Sequence, residues 1–289
     1  MSDLVLGFAG LGRMGGPMAS RLLAAGHQLA GFDPAGTDER LPEGGRSATS
    51  ISDLAGQADI VFLSVPDGKV SLAVCREIAA ADNRRARIVV DLSTIGIAAA
   101  QECAGVLETA GVTYVDAPVS GGIAGAVNGT LALMAGAPQP VYAEIEPLLG
   151  VLAKNCFRVG DDAGHGQAMK LLNNYTSAAA LAATCEATVF GAKMGLDMQT
   201  MVDVLNVSCS RRAASQDKFT TSIVQRSYEF GLTGPHMTKD VTLYQQNADL
   251  AGVPHGIADT VASVWQRFNA AHPDADFTYL HKYFEDGEQ

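Results

Sequence analysis

A glycine pattern near the N-terminus limits most strongly what this chain can fold into. The apolar run Leu4–Ala9 has the length of a short strand, and Gly10, Gly12 and Gly15 follow it with the spacing G-x-G-x-x-G before a helical pattern. The first glycine permits a tight turn, the second lets a pyrophosphate approach the backbone, and the third lets the helix pack on the strand. The helix N-terminus also offers free N–H groups to an anion. The stretch therefore predicts a dinucleotide-binding unit.

An acidic residue follows the second predicted strand. Gln28–Phe32 leads into Asp33, about 20 residues beyond the glycines, where a carboxylate can accept both hydroxyls of the adenosine ribose and would repel a 2′-phosphate. Nothing basic follows Asp33 until Arg40. The predicted cofactor is therefore NAD, with NADP less favoured. The residues predicted to contact it in this part of the chain are Gly10, Leu11, Gly12, Arg13, Met14, Gly15 and Asp33.

Strand candidates then alternate with helical patterns, which predicts a parallel sheet covered by helices. Ligands of such sheets bind beyond the carboxyl ends of the strands, so Val65 and Pro66 are expected to contact the cofactor. The segment Ser120-Gly121-Gly122 offers a hydroxyl and consecutive N–H groups, which can form an anion-binding nest; an ordinary turn is the alternative. The strand candidates are Ile60–Val65, Arg87–Leu92, Val112–Val115 and Leu131–Ala135.

The longest helical pattern begins at Gly164 and continues without proline to Gly195, which predicts one helix of roughly 28 residues, about 42 Å long. Lys170 and Asn174 lie four residues apart near its start, so their polar groups project from one side. An ammonium and a carboxamide in this arrangement can hold one substrate oxygen, whereas a solvated helix face is the alternative. After Gly195 the patterns are helical, near Met198–Val207, Met237–Leu250 and Ile257–Ala270.

Charge and composition exclude some partners. The formal net charge is −11 without a long basic run, which disfavours nucleic acid and an anionic membrane surface. Charged residues form only 18% of the chain, which is compatible with a surface partly hidden in a subunit interface. The five cysteines contain no C-x-x-C pair and no signal peptide precedes the first strand, so reduced thiols and a cytoplasmic location are expected. The six histidines show no metal-ligand spacing, and we expect no metal.

Four sequence blocks are distributed through most of the chain. They are GFAGLGRMGGPMASRLLAAGH at the start, DLSTI at 91–95, DAPVSGGIAGAVNGTLALMAG at 116–136 and GHGQAMKLLNN at 164–174. Together, and in this order, they resemble the β-hydroxyacid dehydrogenase family, whose members include 3-hydroxyisobutyrate dehydrogenase and tartronate semialdehyde reductase. The pair Lys239-Asp240 also matches the family pattern.

The resemblance implies a Rossmann-type domain over residues 1–162 and an all-α domain over 163–289, joined by the long helix. It further implies a catalytic lysine at Lys170, a substrate-orienting amide at Asn174 and a carboxylate cradle at Ser120, Gly121 and Gly122. Thr94 and Lys239 are implied to lie against the cofactor, with Asp240 supporting the lysine or the substrate pocket. The implied reaction is NAD-dependent oxidation of a small anionic β-hydroxy acid, or its reverse, in a homodimer or homotetramer.

Three alternatives share this framework. An imine-reducing relative is expected to lack the lysine that Lys170 supplies, and a non-catalytic binding protein would have little need of intact cofactor and lysine motifs. A reductase of small or sulfonated aldehydes would share every residue named above. His165 is interpreted as a loop histidine rather than a proton shuttle. No role is assigned to Arg211, Arg212 or Phe230.

Overall fold

The computed structural model describes residues 4–211 and 214–288. The chain divides into two compact units, Met1–Lys170 and Leu171–Gln289. The strands of the first unit are β1 (Val5–Ala9), β2 (Gln28–Phe32), β3 (Arg46–Ser47), β4 (Ile60–Leu63), β5 (Ile88–Asp91), β6 (Thr113–Asp116), β7 (Val119–Ser120), β8 (Leu131–Gly136) and β9 (Ala153–Gly160). Its helices are α1 (Gly15–Ala24), α2 (Thr37–Arg40), α3 (Ile51–Gln57), α4 (Gly68–Ala80), α5 (Ile97–Glu108), α6 (Gly122–Asn128) and α7 (Gln139–Leu152).

The strands form one sheet whose centre is buried on both faces. Among the described residues the sheet has nine strands in the order β3-β2-β1-β4-β5-β6-β8-β7, with β9 paired to β8. Every residue of β1 and β4 is buried, as expected for strands that helices cover on both sides. Phe8 and Phe62 belong to the apolar cluster on one face, and Val61 belongs to that on the other. The predicted helix-covered sheet is confirmed, and β2 has the predicted bounds.

The prediction of a parallel sheet is confirmed for six neighbouring strands and for the pair of β8 and β9, and it is wrong for the pairs that β8 forms with β6 and β7. Strands β3-β2-β1-β4-β5-β6 are parallel neighbours. Strand β8 instead runs antiparallel to β6 and β7, and β9 then pairs parallel with β8. A parallel connection needs a dozen or more residues, and the segment between β7 and β8 holds little more than the seven-residue helix α6. The short connection therefore reverses the chain direction.

The long predicted helix is present as α8 (His165–Lys193), 29 residues long. It begins in the first unit and continues into the second. The interpretation of His165 as a loop histidine is wrong, because it is the first residue of α8 and its Nδ1 accepts the Asp162 N–H at 3.3 Å.

The second unit is helical, as predicted. Its core is aromatic: Trp265, Phe268 and Phe277 are fully buried, and the Trp265 ring contacts both phenylalanines. No helix in the described part of the chain has the length and apolar character needed to span a membrane. The elements that follow α8 are α9 (Met198–Val207), a π-helix (Ala214–Ile223), α10 (Gly234–Leu250), α11 (Gly256–Ala271), a short 3₁₀ helix (Phe277–Tyr279) and α12 (Leu280–Glu285).

Candidate active site

The three glycines of the first turn differ in what their missing side chains allow. A Cβ at Gly10 would collide with the carbonyl oxygen of Ser64, and one at Gly15 with that of Gly10. Gly10 also has a φ of +90°, which favours glycine. A Cβ at Gly12, by contrast, would meet no described heavy atom within 4 Å. The fold itself therefore requires the outer two glycines, whereas the open space at Gly12 suits the close approach of a ligand.

Helix α1 leaves its N-terminus open to an anion. Its N-cap residue, Met14, makes no side-chain hydrogen bond to the first turn, and no acidic residue lies in that turn. No acidic side chain of the first turn therefore offsets the positive end of the helix dipole, and this favours the binding of a pyrophosphate. The residues present fit a dinucleotide.

Asp33 lies beyond the carboxyl end of β2 and is buried. Its Oδ2 accepts the N–H of Leu11 at 2.8 Å, and its Oδ1 accepts the N–H of Ala35 at 2.9 Å. The guanidinium of Arg40 lies 3.5 Å from Oδ2. The carboxylate therefore fixes the glycine loop while an arginine stands beside it, a neighbour that the sequence spacing did not reveal.

The loops after β4 and β5 are joined by hydrogen bonds. The N–H of Val65 donates to Ser93 Oγ at 2.9 Å. Asp91, at the end of β5, accepts the hydroxyls of Ser71 and Tyr114 and the N–H of Ser93. Burial raises the pKa of Asp91. These bonds fix the loop that carries Thr94, and they bring Val65, Pro66 and Thr94 to the same edge of the sheet as the glycines.

Two side chains fix the first turn of α8 to the first unit. Asp116, at the end of β6, accepts the N–H of Gly164 at 2.9 Å and that of Gln167 at 2.7 Å, and so caps the helix. Burial raises the pKa of Asp116 to about 6, although these two N–H groups favour the carboxylate. A Cβ at Gly166 would collide with the carbonyl oxygen of Met134, so only glycine allows this close contact with β8.

Gln167 is fully buried and completes the attachment. Its Oε1 accepts the N–H groups of Ile95 and Gly96 at 2.9 and 3.1 Å, and its Nε2 donates to the carbonyl of Ser93 at 2.9 Å. Lys170, less than one turn further along α8, is also buried, with 7% of its surface exposed. The amine therefore lies on a helix that is bonded to the loop of Thr94.

The glycine segment after β7 has the conformational freedom that the sequence suggested. Ser120 ends the strand, and Gly121 and Gly122 have φ values of +132° and +63°. Both glycines are exposed and lead into α6.

In the second unit Asn174 is held between two polar residues. Its Nδ2 donates to Asp240 Oδ2 at 2.5 Å, and its Oδ1 accepts from Asn173 Nδ2 at 3.1 Å. A carboxylate only accepts hydrogen bonds, so the nitrogen of Asn174 must face Asp240. Lys239 Nζ lies 3.6 Å from the other oxygen of Asp240. Among the described residues these are the hydrogen bonds of the Asn174 amide, so one N–H and one lone pair can bind another group.

The supporting roles of Asp116 and Gln167 were not predicted from the sequence, and neither was the hydrogen bond between Asn174 and Asp240. Asp116 and Gln167 do lie within the matched blocks, and an acidic residue at the end of a buried strand was the available signal. Phe230 packs against Phe277, with ring centroids 5.5 Å apart. Arg211 follows α9, and Arg212 lies outside the described residues.

Comparison with known proteins identifies the family. Residues 5–160 match the model described as the NAD-binding domain of 6-phosphogluconate dehydrogenase, and residues 164–284 match that described as the NAD-binding domain of NADP-dependent 3-hydroxyisobutyrate dehydrogenase. The chain belongs to the β-hydroxyacid dehydrogenase family. As a β-hydroxyacid dehydrogenase it is an oxidoreductase that acts on CH–OH donors, and its first unit is a nicotinamide dinucleotide-binding domain.

Relatives of this β-hydroxyacid dehydrogenase cover nearly its whole length. It is 32% identical to a Pseudomonas aeruginosa 3-hydroxyisobutyrate dehydrogenase over 98% of this chain and 99% of the relative. It is 33% identical to a Eubacterium barkeri 2-(hydroxymethyl)glutarate dehydrogenase over 87% and 85%. The structure of a Mycobacterium tuberculosis 3-hydroxyisobutyrate dehydrogenase with L-serine superposes with a TM-score of 0.90 at 31% identity, covering 97% and 99% of the two chains.

The imine reductases share the fold. A Streptomyces aurantiacus imine reductase has a TM-score of 0.65 at 18% identity. At this identity the likeness concerns the architecture alone.

Proposed function

We propose that this β-hydroxyacid dehydrogenase oxidises the primary alcohol of acids of the form HOCH₂–CH(R)–COO⁻ and prefers NAD as hydride acceptor. The observation that carries the proposal is the buried Lys170 on α8, a helix whose first turn is bonded to the end of β6 by Asp116 and to the loop after β5 by Gln167. An amine on a buried side chain at the carboxyl edge of a dinucleotide-binding sheet is suited to proton exchange with a substrate hydroxyl.

The relatives support this substrate form. 3-Hydroxyisobutyrate, 2-(hydroxymethyl)glutarate and L-serine, which appear in the names of three similar proteins, all have a hydroxymethyl group on the carbon that bears the carboxylate. They differ in R, which is a methyl, a carboxyethyl or an ammonium group. The common part of these molecules is one alcohol and one carboxylate.

Each half of that common part has a proposed protein partner. Lys170 Nζ takes the hydroxyl proton in oxidation and returns it in reduction, and the free N–H and lone pair of Asn174 orient the same end of the substrate. Ser120, Gly121 and Gly122 bind the carboxylate through the hydroxyl and the backbone N–H groups of two exposed glycines. The nicotinamide, when bound, carries the hydride.

The residues proposed for the cofactor surround the first turn. The loop Gly10–Gly15 would bind the pyrophosphate, and Asp33 would bind the adenosine ribose. The rest of the cofactor would be contacted by Val65, Pro66, Thr94 and Lys239. Asp33 supports a preference for NAD over NADP because a carboxylate repels a 2′-phosphate. We also propose a domain division at residues 162 and 163, a homodimer or homotetramer, and a cytoplasmic location for a chain whose five cysteines are free.

A substrate panel tests this function. Acids that share HOCH₂–CH(R)–COO⁻ but differ in R are assayed with NAD and NADP in parallel, by the absorbance of the reduced cofactor. We expect turnover of at least one, faster with NAD. Lys170→Ala is expected to lower turnover about 10²- to 10⁴-fold with NAD affinity unchanged. Lys154→Ala, which alters an exposed lysine of β9, is the control. Near-normal turnover by Lys170→Ala would remove this amine from the mechanism.

A further inference from the structure

Lys218 is a buried ammonium that the proposed reaction does not use. It lies on the π-helix of the second unit, and only 7% of its surface is exposed. Its Nζ lies 5.7 Å from the ring centroid of Phe277 and 5.9 Å from that of Phe230. Its hydrogen bond is to Ser177 Oγ, at 3.2 Å. In the described part of the chain no carboxylate forms an ion pair with it.

This environment is unfavourable for a positive charge. A buried ammonium normally requires a counterion, because burial removes its water. Burial lowers the pKa of Lys218, and the negative charge of neighbouring Asp217 offsets that effect only in part. The two aromatic rings and one hydroxyl stabilise the cation less than a carboxylate would. Among the described residues, the Lys218 ammonium therefore lacks the carboxylate partner that a buried cation normally has.

The backbone around Lys218 and Phe230 is also unusual. The segment Ala214–Ile223 is a π-helix, a form that is rare and occurs frequently at functional sites. Arg226 and Tyr228, in the turn that leads to Phe230, have φ values of 53° and 49°, which residues other than glycine seldom adopt. Such conformations persist where the surrounding structure requires them. Here they bring an amine and an aromatic ring together.

The position of Ser177 relates Lys218 to the substrate. Ser177 follows Asn174 by three residues on α8, so the two side chains are neighbours on one face, about 4.5 Å apart along the helix axis. The two rings near Lys218 differ in exposure. Phe277 is 1% exposed and therefore buried, whereas Phe230 is 43% exposed and in contact with solvent. A group that extends from the amide of Asn174 along this helix face towards Ser177 would approach the Lys218 ammonium.

We propose that Lys218 binds a second anionic group of the substrate, so that R in HOCH₂–CH(R)–COO⁻ carries a distal carboxylate. The inference rests on the proposed function, since it takes Asn174 as a substrate contact. A carboxyethyl arm has the required reach, because three extended C–C bonds of about 1.5 Å span about 4 Å. A substrate whose R is an ammonium group would be repelled by the same charge.

The test compares matched molecules. 2-(Hydroxymethyl)glutarate and 2-(hydroxymethyl)pentanoate differ only by a terminal carboxylate in place of a methyl group. We expect kcat/KM of the wild-type enzyme to be higher for 2-(hydroxymethyl)glutarate than for 2-(hydroxymethyl)pentanoate. Lys218→Met, which keeps the length of the side chain, is expected to lower that value about 10- to 100-fold and to leave the pentanoate unchanged. Lys193→Met, which removes an exposed charge at the end of α8, is the control.

Thermal unfolding separates recognition from a structural role. Removal of an unpaired buried charge is expected to leave Tm unchanged or raise it, whereas a structural lysine would give a lower Tm and an equal loss on both substrates. Equal losses on the two substrates would therefore overturn the proposal.

Binding without turnover keeps this inference distinct from the proposed function. Calorimetry compares glutarate with butyrate on the wild-type enzyme saturated with NAD. Tighter binding of glutarate than of butyrate, lost in Lys218→Met, would support the anion site even if neither 2-(hydroxymethyl) acid is oxidised. Failure to oxidise those two acids would contradict the proposed reaction alone. Equal binding of glutarate and butyrate would overturn the anion site at Lys218 even if both 2-(hydroxymethyl) acids are oxidised.

Discussion

The carboxylate of Asp116 accepts the backbone N–H of Gln167 across 51 positions of sequence, at 2.7 Å. The side chain of Gln167 in turn bonds three backbone groups of the loop after β5. This pair makes the start of α8 part of the sheet edge, so the direction of the helix and the position of Lys170 follow from it. The proposed catalytic amine therefore depends on two residues that need not touch the substrate.

Replacing Asp116 tests this dependence. In Asp116→Asn one oxygen remains an acceptor, but the new NH₂ group faces a backbone N–H of the helix turn. We expect kcat to fall about 10- to 100-fold through displacement of Lys170, with little change in NAD affinity. Steady-state kinetics and cofactor titration measure both quantities. Asp161→Asn, an exposed aspartate before the same helix, should behave like the wild type.

The pH dependence of turnover gives a second measure of the same residue. Burial raises the pKa of Asp116 to about 6. As pH falls through about 6 the carboxylate gains a proton, and one helix N–H loses its acceptor. We expect kcat of the wild type to decline over this interval and the decline to be absent from Asp116→Asn. If both proteins show the same acidic limb, another group is responsible.

Cofactor choice should depend on Asp33 and Arg40 together. Asp33→Asn keeps an acceptor for one of the two backbone N–H groups that the carboxylate binds, those of Leu11 and Ala35, and removes the charge that repels a 2′-phosphate. Arg40, released from its ion pair at 3.5 Å, would then be available to a phosphate. We expect the ratio of kcat/KM for NAD to that for NADP to fall about 10- to 100-fold.

The double variant Asp33→Asn/Arg40→Ala separates the two effects. Without the guanidinium, NADP is expected to lose most of the gain seen in the single variant. Glu43→Gln alters an exposed charge nearby and serves as the control. An unchanged ratio in Asp33→Asn would mean that the adenosine end is recognised by other residues.

The framework of the molecule was predictable because local signals agreed with the final structure. The glycine pattern fixed the first βαβ unit, and β2 and α9 have the predicted bounds. Strand β9 was not predicted because its exposed, mixed sequence has no period. The π-helix was not predicted because an i→i+5 turn has no hydrophobic repeat of its own in so short a segment.

Residues of the candidate site could be proposed from the sequence only where a motif or the family resemblance indicated them. The glycines and Asp33 were proposed from spacing and Lys170 from its helix face and the resemblance, and their roles stay predictions. The hydrogen bond between Asp116 and Gln167 could not be predicted, since nothing in the sequence relates positions so far apart. The burial of Lys218 could not be predicted either, because a lysine without a carboxylate partner among the described residues departs from the usual exposure of lysines.

Asp240 is expected to act through Asn174. Its Oδ2 holds the amide nitrogen at 2.5 Å, while its Oδ1 is buried without a hydrogen-bond partner among the described residues. Asp240→Asn replaces a side chain that only accepts hydrogen bonds by one that can also donate. The Asn174 amide could then rotate by 180° and exchange the positions of its oxygen and nitrogen. We expect kcat to fall about 10-fold and KM for the acid to rise, with NAD affinity retained. Kinetics with varied acid and varied NAD distinguish these effects, and Asp203→Asn on exposed α9 is the control. A rise in KM for NAD alone would contradict this role.

His281 should make the protein less stable in mild acid. The side chain is buried against Phe219, and neither ring nitrogen has a hydrogen-bond partner in the described part of the chain. Burial lowers the pKa of His281 below its ordinary value of 6.5; the charge of Glu285 opposes this effect, while those of Arg226 and Lys282 add to it. Above that value the imidazole is neutral in both the folded and the unfolded chain, so pH has no effect through it.

As pH falls below 6.5, the unfolded chain takes up a proton that the folded chain does not, so stability declines until the lowered folded pKa is reached. His281→Phe keeps a ring against Phe219 and removes the unsatisfied N–H, which should stabilise the protein by about 1–3 kcal/mol near neutral pH. The gain should be larger at about pH 5 than at about pH 7.5. Urea unfolding of both proteins at the two pH values gives the difference between their free energies of unfolding. The titration of Asp116 and other shared groups contributes equally to both proteins and cancels in that difference. A gain of the same size at both values would show that His281 does not titrate between the folded and unfolded states.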